Sequence, residues 1–336
     1  MTEHAHLSTI DPEFAAAAAK LPHSKVNIKP DLVNAREFYS ARIPLIREAL
    51  SPLLPLESEY QVVDHHIDVE DGIQALARCV VPIPKVDEDG RFPVLFWLHG
   101  GGWAMGDVHG DDYNLRRIAV DHRLAIVNFE YRLAPEHPFP AAPNDCFVAL
   151  KYFAANPDLL SADFTKGFLV GGSSAGANLA AVLAQLAQGD PAFKTTPITG
   201  QLLQIPALVH PDAYPEQDRP FLLSLEQNKD GLVLSKDMIL AFYAWYNPDP
   251  FDPKASPLLY PDRRGLPPAF FQVCGGDPLR DEAFLYDKRL REAGVPTKVE
   301  IYPGVPHGFL AVSREIPAAK KYLSDFRLGI EWLLRP

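Results

Sequence analysis

Val170-Gly171-Gly172-Ser173-Ser174-Ala175-Gly176-Ala177-Asn178 is the stretch that decides the fold. Its centre, Gly172 to Gly176, has the form G-x-S-x-G with Ser174 in the middle. The apolar run Gly167-Phe168-Leu169-Val170 before it predicts a short buried strand, and the alanine-rich run Ala177 to Gln188 after it predicts a helix. Between the two the chain must turn sharply at a strained residue. Glycines two before and two after the serine let strand and helix approach where a Cβ would collide. Such a turn lifts the Ser174 hydroxyl clear of the sheet. It also sets the Ala175 N–H at a helix N-terminus, where it can donate to an oxyanion. The pattern is short, and a chemically silent small-residue turn also fits it, so the rest of the chain has to decide.

Working outward, strand-like runs Tyr60 to Val69 and Ile73 to Val81 flank Glu70-Asp71-Gly72, a hairpin signal. Phe92 to Leu98 and Leu124 to Phe129 read as buried strands separated by a helix over Tyr113 to His122, a crossover that makes the sheet parallel. A helix is predicted over Pro143 to Ala155. Strands follow at Gln201 to Leu208, Ala269 to Val273 and Lys298 to Tyr302, with helices at Leu279 to Ala293 and Pro317 to Leu334. The order predicts an α/β fold: an antiparallel N-terminal edge, then a doubly wound, mostly parallel twisted sheet with flanking helices.

Two regions fall outside that alternation. Residues 209–268 separate two strands by more than a structureless loop allows. They contain Phe242-Tyr243-Ala244-Trp245-Tyr246 in a helix expected from about Ser235. This region reads as an inserted helical cap, or as an aromatic stripe packed on the core. Residues 1–55 read as an N-terminal helical arm, with one helix starting at Pro30-Asp31-Leu32 and another holding Leu45 to Leu50. The arm belongs to the cap or lies on the surface. The core is then 56–208 with 269–336.

The 336 residues, 47% hydrophobic and 22% charged, suffice for a large core in one α/β unit. The formal charge of -11 repels phosphate backbones, so nucleic acid is not an expected partner. No apolar run is long enough to span a membrane, and Met1 to His6 lacks the pattern of a signal peptide. Cys79, Cys146 and Cys274 are odd in number and widely spaced, as expected of buried thiols in a reducing, cytoplasmic compartment.

The chemistry gathers at the carboxyl ends of the strands. After the strand ending at Leu98 comes His99-Gly100-Gly101-Gly102-Trp103, whose glycines expose N–H groups suited to a developing oxyanion. Gly101 and Gly102, with Ala175, are the candidate donors. A serine needs a base. Among eleven histidines, His4 and His6 fall in a terminus expected to be disordered, and His65-His66 alternate across a strand, cannot share a face and are poorly placed to share a metal. His307, in Pro303-Gly304-Val305-Pro306-His307-Gly308-Phe309, follows the final strand and reaches the edge where Ser174 emerges. For the acid, Asp277 follows the strand Ala269 to Val273, with a helix N-cap as its alternative role. Asp281 competes with it, although Asp281 and Glu282 also read as first-turn helix acids.

Four motifs in this order resemble the hormone-sensitive-lipase family of α/β-hydrolases, a group of carboxylesterases and lipases. They are His99-Gly100-Gly101-Gly102; Tyr131 to Glu136 with Phe139-Pro140-Ala141-Ala142; Asp277-Pro278-Leu279-Arg280-Asp281; and His307-Gly308-Phe309. They cover roughly residues 90–310. The family's catalytic acid is the first aspartate of its motif, which is Asp277 here. The elbow departs from the family's usual form, with Ser173 where Asp or Thr stands and Ala177 where the last glycine stands. Plant hormone receptors that resemble the family lack the histidine, which this chain keeps.

The resemblance implies an α/β-hydrolase fold and a cofactor-free, metal-free carboxylesterase. Ser174 is the expected nucleophile, His307 the base and Asp277 its partner, and Gly101, Gly102 and Ala175 form the oxyanion hole. Its substrate is a short- or medium-chain ester limited by the cap, with Trp103 and Trp245 expected in the pocket. Monomer and homodimer through the last strand and helix both remain open. The same residues also suit an acyltransferase, lactonase, amidase or deacetylase, and the fold alone suits a non-catalytic receptor.

Overall fold

The structure, a computed structural model, describes residues 4–21, 30–70 and 72–335. Asp71 of the hairpin turn, and residues 1–3, 22–29 and 336, lie outside the described residues.

Eight strands form one sheet: β1 (Tyr60–Asp68), β2 (Gln74–Pro82), β3 (Val94–Leu98), β4 (Ala125–Phe129), β5 (Phe168–Ser173), β6 (Gly200–Gln204), β7 (Ala269–Cys274) and β8 (Thr297–Tyr302). The order across the sheet is β1-β2-β4-β3-β5-β6-β7-β8. β1 pairs antiparallel with β2, and β2 antiparallel with β4; every later pair is parallel. This is the α/β-hydrolase arrangement, with its antiparallel edge at the N-terminal side as expected.

The helices are α1 (Pro12–Ala18), α2 (Leu32–Leu50), α3 (Asp112–His122), α4 (Ala141–Ala155), α5 (Ala175–Gly189), α6 (Ser224–Gln227), α7 (Lys236–Tyr246), α8 (Arg280–Glu292) and α9 (Pro317–Leu333). Strands β3, β4 and β7 are buried at every residue, which requires cover on both faces. Alternate strand residues sort to the two sides. Phe96, Leu98 and Val127 pack with Phe153 of α4, Leu179 of α5 and Tyr286 of α8. Leu95, Trp97 and Ile126 pack with Ile118 of α3 and Phe326 of α9. Each such fully buried side chain contributes about 1.5–3 kcal/mol by leaving water.

Three local expectations are corrected. β6 ends at Gln204, not Leu208: Ile205 takes a left-handed φ of 42° and Pro206 has no N–H for a ladder. The two helices expected in residues 30–50 are one, α2, started by Asp31, whose carboxylate accepts the Asn34 N–H at 2.8 Å. Pro44 sits inside it and forfeits one helical bond; the carbonyl it leaves belongs to the exposed Ser40. His4 and His6 are ordered: residues Ala5–Ser8 make a 3-10 turn, Leu7 is buried, and the Leu7 carbonyl accepts the Gly304 N–H at 2.8 Å. Asp281 and Glu282 open α8 as first-turn acids, as expected, and both are buried. Cys79, Cys146 and Cys274 are free and buried.

Candidate active site

The turn between β5 and α5 has the strain expected of it. Ser174 sits at φ 56°, ψ -117°, a conformation that costs on the order of 1–3 kcal/mol for a residue with a side chain. Packing holds it there. A Cβ on Gly172 would come within 2.4 Å of the Gly176 backbone, and one on Gly176 within 2.1 Å of the Leu98 carbonyl oxygen. Strand, turn and glycine loop therefore touch through backbone alone. The Ser174 N–H donates to the Gln204 carbonyl at 2.8 Å, tying the elbow to β6. Below it the Gln204 amide donates to Gln272, and the Gln272 amide donates to the Tyr302 hydroxyl and the Tyr322 carbonyl.

The structure brings Ser174, His307 and Asp277 together. His307 Nδ1 lies 2.7 Å from Asp277 Oδ2, and Nε2 lies 3.0 Å from Ser174 Oγ. An ionised carboxylate only accepts, so Nδ1 carries the ring proton and Nε2 is left to accept the serine hydroxyl. The other Asp277 oxygen accepts the Leu279 N–H at 2.8 Å, so the capping role and the histidine contact coexist on one side chain. Asp281 is committed elsewhere. It accepts Arg280 Nε at 2.8 Å and the N–H groups of Leu223 and Ser224 at 2.9 and 2.7 Å, fastening residues 223–224 to α8.

The His307 loop is held from both sides. The Gly276 N–H donates to the Val305 carbonyl at 2.9 Å, and the N-terminal segment bonds it through Leu7 and Asp11.

Gly101, Gly102 and Ala175 border the same cavity as Ser174 and His307. Among the described residues neither the Gly101 nor the Gly102 N–H has an acceptor. Ala175 is the first residue of α5, where no intrahelical acceptor exists. Gly102 adopts φ 58°, and a Cβ there would overlap the Phe242 ring at 2.2 Å. The loop is flanked by residues to which sequence alone assigns no role. Tyr131 stacks on His99 at 4.3 Å and donates to its carbonyl at 2.8 Å. Arg36 of α2 donates to the carbonyls of Ala104 and Ala134 and pairs with Glu136. Arg132 holds the buried Asp145 through two side-chain hydrogen bonds of 2.8 and 2.6 Å, which set the Arg132 pKa above its ordinary value against the opposing effect of burial.

A cavity of about 210 Å³ opens above Ser174. Phe38 and Tyr39 of α2 line one side, and Val233, Leu234, Ile239, Phe242 and Tyr243 line another. Trp103 is part of the lining and stacks on Tyr246 at 4.4 Å. Trp245 is not among the described residues that line the cavity, contrary to expectation. Its ring meets Phe242 edge-on, because the 3.6-residue period of α7 turns positions 239, 242, 243 and 246 inward and 245 aside. Among the described residues no group of three or more His, Cys, Asp or Glu is placed to hold a metal ion, and no helix is long and apolar enough to cross a membrane.

A serine at a strained strand-to-helix turn, facing a histidine and beside free backbone donors at the carboxyl edge of a parallel sheet, defines a serine hydrolase of the α/β class. The profile of the alpha/beta hydrolase fold family that includes hormone-sensitive-lipase-like esterases matches residues 95–311, and the chain belongs to that family. It is similar to the versiconal hemiacetal acetate esterase of Dothistroma septosporum, 33% identical over 292 residues, covering 86% of each chain. It is also similar to the carboxylesterase NlhH of Mycobacterium tuberculosis, 38% identical over 70% of this chain and 72% of that one. The crystal structure of vibralactone cyclase superposes with a TM-score of 0.94 at 41% identity, covering 98% of this chain and 96% of that one. The protein is an esterase-type α/β-hydrolase.

Proposed function

We propose that the protein hydrolyses carboxylic esters of short to medium chain length through an acyl-enzyme on Ser174. The observation that carries this reading is the chain of contacts from Asp277 through His307 to Ser174, at 2.7 and 3.0 Å. Ser174 Oγ attacks the ester carbonyl carbon while His307 Nε2 takes its proton. The resulting oxyanion accepts from the N–H groups of Gly101, Gly102 and Ala175, donors fixed before the charge forms. Collapse breaks the bond to the alcohol, which leaves with the proton from His307. Water, deprotonated by the same nitrogen, then releases the acid. Asp277 keeps the imidazole in the productive tautomer and stabilises its charged form. The helices at residues 209–268 and the arm at residues 30–50 act as the cover that limits chain length.

The experiment is hydrolysis of p-nitrophenyl esters from acetate to palmitate by wild type and Ser174→Ala. Activity that peaks at short or medium chains and vanishes in the variant is the expected result. Equal rates for the two proteins would overturn the assignment. The 41% identity to vibralactone cyclase favours a second reading on the same acyl-enzyme, in which a hydroxyl of the acyl group replaces water and closes a lactone. Product analysis by mass spectrometry separates the two, since ring closure adds no oxygen from ¹⁸O-labelled water.

A further inference from the structure

A second cavity, of about 280 Å³, opens beside the first. The two share Tyr39, Arg42, Ser173, Ile205, Gly308 and Ala311, so they meet at the elbow. From there the second space runs past the start of α3 to α9, where Trp97, Asp111, Arg314 and Phe326 enclose it. The first cavity is almost wholly apolar at its walls; the second is not.

Its charges do not balance. Arg314 has no hydrogen bond and no ion pair among the described residues, although it is only partly exposed. Arg42 gives one N–H to the Ala311 carbonyl and has no carboxylate partner among the described residues. Asp111 is the one acid among the described residues that line this space, and it already accepts the Trp97 indole N–H at 2.9 Å. Burial pushes the Asp111 carboxyl up, toward its neutral form. Burial lowers the Arg314 pKa, but a guanidinium stays protonated in a protein. Two fixed positive charges thus face at most one negative charge, in a space that already excludes much of the water. A desolvated cation that Asp111 and Glu315 attract only from beyond hydrogen-bond reach is costly. The complement that satisfies it is an acceptor of opposite charge with two in-plane oxygens.

We propose that this second cavity binds the free carboxylate of an acidic ester, whose scissile carbonyl lies at Ser174 and whose uncharged part fills the apolar pocket. The proposal rests on the ester-hydrolase reading and narrows it to a substrate class. The carboxylate belongs either to the acyl group or to the alcohol, and the two sources share the same chemistry at Arg314.

Two matched pairs of substrates separate these sources. Mono-p-nitrophenyl suberate against p-nitrophenyl octanoate places the charge in the acyl group. 6-(Butyryloxy)hexanoate against hexyl butyrate places it in the alcohol. In one pair the acidic ester is expected to exceed its neutral counterpart by at least about tenfold in kcat/KM, the scale of one charge-assisted hydrogen bond. That preference is expected to fall about tenfold in Arg314→Leu, to return in part in Arg314→Lys, and to rise in Asp111→Asn. No preference in either pair, or a preference that Arg314→Leu leaves intact, would overturn the proposal. Calorimetric titration of Ser174→Ala protein with suberate gives a readout without turnover, and the added Arg314→Leu change is expected to weaken it. If no ester of any kind is hydrolysed, the esterase reading fails by itself, and the titration still decides: equal binding with and without Arg314, or none, rejects the subsite.

Discussion

The sheet edge and the layer above it build one pocket by different means. At the edge, Ser174, Asp277 and His307 stand on turns whose geometry is fixed by backbone contact, such as Gly172 against Gly176 and Gly276 against Val305. In the layer above, Phe38, Tyr39, Phe242 and Tyr243 reach the pocket only because the helices carrying them turn a particular face downward. Turn geometry demands particular residue types, so the edge has a sequence signature. A helix face demands only apolar side chains at the right period, which many sequences satisfy. On the proposed function, the edge holds the groups for chemistry, and the layer those for selection among substrates.

The largest effect that tests this division comes from the edge. His307→Ala and Asp277→Asn are each expected to lower kcat by about 10⁴-fold for every ester, with circular dichroism unchanged. A loss confined to some esters would place these residues on the selecting side instead. Next comes the buried pair of Arg132, after β4, with Asp145 of α4. Asp145→Ala leaves the Arg132 guanidinium with only the exposed Glu70 among the described residues, and is expected to cost about 3 kcal/mol in urea unfolding. A cost under about 0.5 kcal/mol, the scale of a surface change, would show that the pair holds nothing in place.

The layer should respond in a different currency. Phe242→Ala opens the pocket over Gly102 and is expected to raise the octanoate-to-butyrate ratio of kcat/KM about tenfold, leaving acetate within a few-fold of wild type. A uniform loss across all chain lengths would mean that α7 serves the oxyanion loop rather than selection.

The smallest effect concerns Glu282, which joins the two regions by accepting the Val209 N–H at 3.0 Å. Burial holds its pKa well above the ordinary 4.5. A raised folded pKa means that its stabilisation is complete below that ordinary value and is lost as pH rises toward the folded one. Glu282→Gln, neutral throughout, is expected to gain thermal midpoint over wild type by a few degrees more at pH 9 than at pH 5. An equal difference at both would show that the carboxyl ionises freely in the fold.

The same contrast explains what the sequence made legible. The β5–α5 turn, the glycine loop and the order of strands were readable because each rests on local pattern and fixed spacing. Asp277 and Asp281 were harder to separate, since both lie where a helix starts; what separates them is that Asp281 is taken by Arg280 and by the N–H groups of Leu223 and Ser224, a contact between distant segments. Trp245 was misplaced because aromatic content does not reveal which face of α7 turns inward. The bonds from Arg36 to the Ala104 and Ala134 carbonyls have no local signal at all. For β6, Pro206 was the visible sign that the strand stops early, and the left-handed turn at Ile205 was not visible.

The most direct test of the central claim is to treat the protein with a fluorophosphonate and locate the adduct by peptide mass spectrometry. The reagent's phosphorus is attacked by an activated serine oxygen, fluoride leaves, and the product cannot turn over. The account predicts a single adduct on Ser174, formed quickly in wild type and slowly or not at all in His307→Ala. An adduct on Ser173 or another serine, or equal labelling with and without His307, would contradict it.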